Sequence, residues 1–396
     1  MTTTEGALGA TRPLSIARPV ALAPVLVPAT LIGLMVLGFV VAMVRYVAGI
    51  GAISNLNDAY GWGLWISFDL LCGVALAAGA FVTATAVYVF GLERFRPILR
   101  PAILTGFLGY LMVVVALLVD LGRPERIWYL IIHWNPSSVM FEVGWCVMLY
   151  TGVLALEFSP MIWERLRLEP FRRIIEMLVI PLVILGTTLS TLHQSSLGSL
   201  FVISPEQLHK LWYTPLLPLM FWLTAVAVGP AMVILESTIS SKVFKRGLET
   251  DLVGALAKVI PVALLAYLGV KIGELVATSE LGLAFEGDLE GNLFLAEMIF
   301  GVIVPIVLFS LPAVRRSNGL LLLSALFVIG GVIMNRFDVS LVGLARPEGA
   351  GYFPSWMEFA LTIGIVAAGV TAFWLVARNL PLFGEPAHAE ARLERR

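Results

Sequence analysis

The chain has 396 residues, is 59% hydrophobic and only 13% charged, and carries a net charge of −1. A soluble domain averages about 25% charged residues, so the composition excludes an ordinary soluble protein. The near-zero charge gives no sign of a nucleic-acid partner.

Taken in chain order, ten apolar stretches reach the roughly 20 residues that a helix needs to cross a bilayer core. They lie near 23–48, 64–90, 101–120, 139–163, 173–193, 211–238, 252–278, 292–314, 319–335 and 356–380. Membrane β-strands would be about 10 residues long and alternating, so the expected fold class is all-α: a polytopic integral membrane protein. The first stretch exceeds the 7–15 residues of a signal-peptide core and reads as a retained helix. Three segments follow: an N-terminal segment 1–22, a membrane domain 23–380 and a polar tail 381–396, expected to be disordered from Glu385.

Lys and Arg concentrate in alternate loops, around Arg94–Arg100, Arg165–Arg173, Lys242–Arg246 and Arg315–Arg316, and at both termini. The opposite loops hold only Arg123, Arg126, Lys210, Arg336 and Arg346. The positive-inside rule then predicts cytoplasmic termini. Asp120 and Glu142 end span three and open span four, as Glu274 and Glu297 do for spans seven and eight. That parallel suggests a repeat of spans 2–5 and 6–9 as two four-helix bundles.

With this orientation, Arg45, Asp69, Asp120, Glu142, His193, Lys271, Glu274, Glu297, Arg336 and Glu358 gather toward the outer side. Glu157, Glu176, Glu236 and Lys258 lie toward the inner side and would cap helices or begin a proton path. Ionised groups within a bilayer are costly and tend to mark functional sites. Asp69 lies about two turns into span two, beyond Trp62 and Trp65. Asp120 and Arg123 are spaced to pair on one helical turn, as are Lys271 and Glu274. The run Thr191-Leu192-His193-Gln194-Ser195-Ser196 reads as the exit of span five, with a titratable ring beside hydrogen-bonding neighbours.

A bis-histidine haem needs two facing helical ligands and an iron–sulfur cluster about four thiolates. Of the four His and two Cys, only His193 is credibly helical, and Cys72 and Cys146 fall on different spans. Neither a haem nor an iron–sulfur cluster is therefore expected. Two classes remain open. One is a redox subunit binding a lipophilic quinone, which needs an apolar aromatic slot, a few donors and titratable groups. The other is a secondary transporter with a midplane site and broken helices, for which Pro181, Gly186 and Gly229-Pro230 are candidate breaks.

Several strings carry a resemblance: Trp62-Gly63-Leu64-Trp65-Ile66-Ser67-Phe68-Asp69, Ser138-Val139-Met140-Phe141-Glu142, His193-Gln194-Ser195-Ser196-Leu197-Gly198-Ser199, Gly273-Glu274-Leu275 and Tyr352-Phe353-Pro354-Ser355-Trp356-Met357-Glu358. In order and spacing they resemble the NrfD/PsrC family of membrane subunits, nearest to the branch that serves hydrogenase-2-type nickel–iron hydrogenases. The resemblance implies a haem-free, quinone-reactive subunit using menaquinone or ubiquinone, built as two bundles with flanking helices. A ferredoxin-like iron–sulfur subunit would dock on the outer face, with large and small [NiFe] hydrogenase subunits as catalytic partners and lipid around the spans. Polysulfide, nitrite and alternative-complex-III types are the other assemblies the family serves. By position, Asp69, His193, Glu142, Glu274 and Glu358 would handle protons, and Trp62, Trp65, Asp69, His193, Gln194 and Ser195 would line the quinone. Met357 departs from the pattern, which has a second acid beside Glu358.

Overall fold

The computed structural model describes residues 29–58, 60, 62–203, 205–344 and 352–383. The predicted N-terminal segment and the tail from Glu385, with Arg12, Arg18, Arg346 and His388, lie outside the described residues. Among the described residues there is no strand, and ten helices are long and apolar enough to span a membrane: α1 Ala29–Ala48, α2 Trp65–Val89, α3 Glu93–Asp120, α4 Val139–Leu166, α5 Glu169–Val202, α6 Leu217–Val243, α7 Thr250–Ala277, α8 Leu289–Ser310, α9 Asn318–Val342 and α10 Trp356–Asn379. All ten predicted spans are present.

Local chemistry sets many of the ends. Ser138 accepts from the Phe141 amide to open α4, and Asp288 accepts from the Gly291 amide at 2.7 Å to open α8. Arg167, at φ 58, closes α4 in the left-handed region before α5 begins. Pro101, Pro160, Pro181 and Pro230 lie inside helices, which neighbouring helices in a membrane tolerate.

Two helices outrun their apolar stretches. α5 continues through the His193–Ser199 run to Val202, and α9 passes Arg336 to Val342. His193, Gln194, Ser196, Arg336, Asp338 and Ser340 there are buried between helices, so polarity did not mark a helix end.

Helices α2–α5 form a closed ring in which each packs on the next and α5 returns to α2; α6–α9 form a second ring of the same order. The rings meet through α2 and α6, with α5 against α6 and α9 against α2. At the α2–α6 crossing, a Cβ on Gly229 would stand 3.0 Å from the Ala78 backbone, and one on Gly79 would stand 3.1 Å from the Gly229 carbonyl oxygen. Small residues let the two backbones touch. α1 and α10 pack on each other and lie along α3.

Among the described residues, four segments widen into π-helix: Trp65–Cys72 and Thr85–Val89 in α2, Glu297–Ile303 in α8 and Asp338–Val342 in α9. Such turns are rare and concentrate at functional sites. Here Asp69, Glu297 and Asp338 all sit on them.

Candidate functional site

The first ring buries a neutral hydrogen-bonding group. His193 on α5 is fully buried, and its Nδ1 lies 2.9 Å from the Tyr110 hydroxyl on α3. Tyr110 stands edge-on to Tyr150 of α4, with ring centroids 4.8 Å apart. Gln194 donates through Nε2 to the Val74 carbonyl of α2 at 3.0 Å. Ser196 donates to Glu142 Oε1 at 2.6 Å, linking α5 to α4. Ser195 is half-buried, and its carbonyl accepts from Ser199 at 3.2 Å. Gly198 faces the start of α6, where a Cβ would lie 2.6 Å from the Leu217 carbonyl oxygen. Two buried atoms of this group have no partner among the described residues: His193 Nε2 and Gln194 Oε1. A buried polar atom left unmet costs about 1–3 kcal/mol.

Asp69 and the two tryptophans divide between surroundings. Trp62 meets Phe201 of α5 edge-on at 5.7 Å. Trp65 is buried in a cluster with Val41, Val119 and Leu361, between α2 and the flanking helices. Asp69 accepts from Thr362 of α10 at 2.7 Å. Nearby, Arg45 donates to the Val119 carbonyl at 2.6 Å and to the Leu121 carbonyl, satisfying the end of α3 beside Asp120. Glu358 is buried as the capping acid of α10, accepting from the Asn55 and Ser355 amides at 3.0 and 2.9 Å and from the Tyr352 hydroxyl. Burial and this bond to Glu358 push the Tyr352 hydroxyl well above the usual phenol range, so it remains a donor.

The second ring holds a charged cluster. Glu297 on α8 accepts from Trp212 at 3.1 Å, Tyr267 at 3.0 Å and Asn335 at 2.9 Å. Arg336 is fully buried; it donates to Asn335 Oδ1 at 2.5 Å, Thr224 at 2.9 Å and the Phe221 carbonyl at 3.1 Å, and stacks 3.6 Å from the Phe221 ring centroid. Lys271 and Asp338 are buried with them. Glu274 is only half-buried on α7.

The sequence-predicted residues therefore fall into three groups. His193, Gln194, Ser195 and Glu142 share the first ring, with Glu142 joined to α5 through Ser196 and Trp62 at the ring's edge. Asp69 and Trp65 lie on the seam with α1 and α10, where Glu358 caps α10. Glu274 belongs to the second ring. No hydrogen bond joins Asp69 to His193 among the described residues. Toward the other end, Glu176 pairs with Arg172 at 3.3 Å, and the half-buried Glu236 keeps its carboxylate oxygens out of solvent near Ser237 and Ser240. Tyr110, Tyr150, Thr362, Tyr267 and Asp338 were not singled out from sequence. The near-equal placement of Tyr110 before Glu142 and of Tyr267 before Glu297 is the signal that finds the two tyrosines.

The sequence signature of the polysulphide reductase NrfD family matches residues 52–348, which encloses both rings and leaves out α1 and α10. A Nitratidesulfovibrio vulgaris protein whose name states no activity is 39% identical over 90% of this chain and 95% of its own length. The probable Ni/Fe-hydrogenase 2 b-type cytochrome subunit of Escherichia coli is 35% identical over 88% of this chain and 90% of its own. The integral membrane subunit of a menaquinone reductase from Nitratidesulfovibrio vulgaris is 29% identical over 88% of each chain.

Proposed function

The chain belongs to the NrfD family, and from that premise we propose that it is the quinone-reactive, haem-free membrane subunit of a respiratory hydrogenase. It exchanges electrons between a ferredoxin-like iron–sulfur subunit on the extracytoplasmic face and the quinone pool of the inner membrane, with large and small [NiFe] subunits as catalytic partners. The termini face the cytoplasm, which places His193, Asp69 and Glu358 toward the outer side.

The observation that carries the reading is the buried, unpartnered Nε2 of His193, with Gln194 Oε1 also unmet beside it. The core of the first ring, to which α5 belongs, includes Leu71, Val74, Tyr150 and Leu197. A quinone head group matches this chemistry: it needs largely apolar neighbours and a few polar partners for its carbonyls, which His193 Nε2 can supply, and its reduced hydroxyl form can also donate to Gln194 Oε1. His193, Gln194 and Trp62 would hold the head group, and the bound quinone would supply two-electron, two-proton redox chemistry. Glu142, tied to α5 through Ser196, lies on the proton route to this group. Asp69 and Glu358 serve a second route along the seam with α10, and Glu274 one along the second ring.

A relative is named a b-type cytochrome subunit. Here the only histidine on a described span is His193, and its Nδ1 is taken by Tyr110. That donor set does not suit bis-histidine haem ligation. A Soret band from the purified subunit would overturn this part of the reading. The function itself is tested by His193→Ala: the complex assembles, and quinone reduction by the intact complex falls about 100-fold. Unchanged quinone kinetics would reject the assignment.

A further inference from the structure

The second ring brings two acids together. Glu297 on α8 and Asp338 on the widened end of α9 are buried to within 1% and 2% of full coverage, and their carboxyl groups share a hydrogen bond. An ionised carboxylate only accepts hydrogen bonds, so two ionised groups in contact would meet through acceptors alone. The contact therefore needs a proton. Repulsion between adjacent like charges in a low-dielectric interior demands the same.

The surroundings decide which acid carries that proton. Glu297 accepts from the indole of Trp212, the amide of Asn335 and the hydroxyl of Tyr267. Hydrogen bonds donated to a carboxylate favour its ionised form. Asp338 has no such support: among the described residues no donor meets its buried Oδ2, and no ion pair joins it to Lys271 or Arg336. The charges of Lys271 on α7 and Arg336 on α9 act on Glu297, and Lys271 also interacts with Glu274 and Glu280. Tyr267 of α7 and Cys72 of α2 are the other titratable groups that interact with Arg336. With the proton on Asp338, its contact with Glu297 becomes an ordinary bond from an O–H donor to a carboxylate.

We propose that Glu297 and Asp338 form a proton-binding site that holds a single proton, carried by Asp338 and donated to the Glu297 carboxylate. The site lies in the second ring, apart from the group around His193, and does not rest on the function proposed above. It gives the membrane domain a store of one proton where the sequence shows only scattered acids.

The test uses the full chain in lipid bilayers at neutral pH, with infrared difference spectra between the unaltered chain and Asp338→Asn. Asn keeps the shape of the side chain and an N–H to offer Glu297, so the variant should fold with a thermal midpoint close to that of the unaltered chain. The expected result is a protonated-carboxyl C=O band that is present in the unaltered chain and lost in the variant. Aspartate labelled with 13C at the side-chain carboxyl should shift this band to lower frequency, and glutamate labelled in the same way should leave it in place. A difference confined to carboxylate bands, or a lost band that moves with labelled glutamate, overturns the proposal. Failure of Asp338→Asn to fold overturns it as well, since that is the mark of an ionised Asp338 needed to balance Lys271 and Arg336.

Discussion

In the second ring, Glu297 is met by three donors from three separate parts of the chain, and Arg336 beside it donates to Asn335, Thr224 and the Phe221 carbonyl. In the first ring, His193 is met by one tyrosine and keeps a nitrogen bare. The rings share helix order and bury polar groups at the same end. The second sets charged residues among neutral partners, Glu297 under three neutral donors and Arg336 on three neutral acceptors, while the first uses mainly neutral residues and leaves His193 Nε2 and Gln194 Oε1 unmet. A buried carboxylate held by three donors resists entry of a neutral lipophilic ring, because insertion would strip those hydrogen bonds from a charged group. A set of neutral groups with atoms to spare has room in its bonding for one. The contrast assigns scaffold duty to the second ring and binding to the first.

That division is open to direct attack. Glu297→Leu removes the shared acceptor and leaves Lys271 and Arg336 without their central counter-charge. Three buried donors lose their acceptor, each left unmet at about 1–3 kcal/mol, so the folded yield and thermal midpoint in detergent should collapse; a midpoint equal to the unaltered chain would end the scaffold reading. Gly198→Ala forces a methyl onto the α6 backbone at Leu217 and should cost about 1–3 kcal/mol, seen as a lower midpoint with the first ring affected. Gln194→Leu should act in the opposite sense to Glu297→Leu: it loses one hydrogen bond, about 1 kcal/mol of stability, yet slows quinone turnover about tenfold. Equal loss of folding from Gln194→Leu and Glu297→Leu would erase the contrast. Thr362→Val has the smallest expected effect. It removes the hydroxyl that Asp69 accepts from and should lower stability by about 1 kcal/mol, leaving the binding of a quinone analogue in the first ring unchanged by titration.

The ten spans were legible because length and hydropathy alone define a membrane helix. The outer polar groups were legible because ionisable residues stand out in apolar sequence. What hid was partnership. Tyr110 lies in an unremarked apolar run, and the residue that gives it meaning is on another helix far along the chain. The His193–Ser199 run looks like a membrane exit because serines and glutamine favour water, yet neighbouring helices supply Val74 O and Glu142 as partners, and the helix continues. Asp338 was passed over for a similar reason: it follows the last apolar residues of the predicted span, on a π-helical extension that hydropathy does not register. The Asp120–Arg123 spacing predicted a local pair, whereas Arg45 of α1 reaches the end of α3 from another helix.

The widened turn at Glu297–Ile303 makes residue count a determinant of chemistry. A plain α-helix advances about 100° per residue, and a widened turn accommodates one residue more than that pattern allows. Losing a single codon at Met298 or Ile299 would let α8 relax to ordinary helix with its length scarcely altered. Everything on one side of the deletion would then swing by about a quarter turn, carrying Glu297 away from Trp212, Tyr267 and Asn335. Substitution scans, which conserve the count, are blind to this constraint; single-residue deletions and insertions along α2, α8 and α9 expose it.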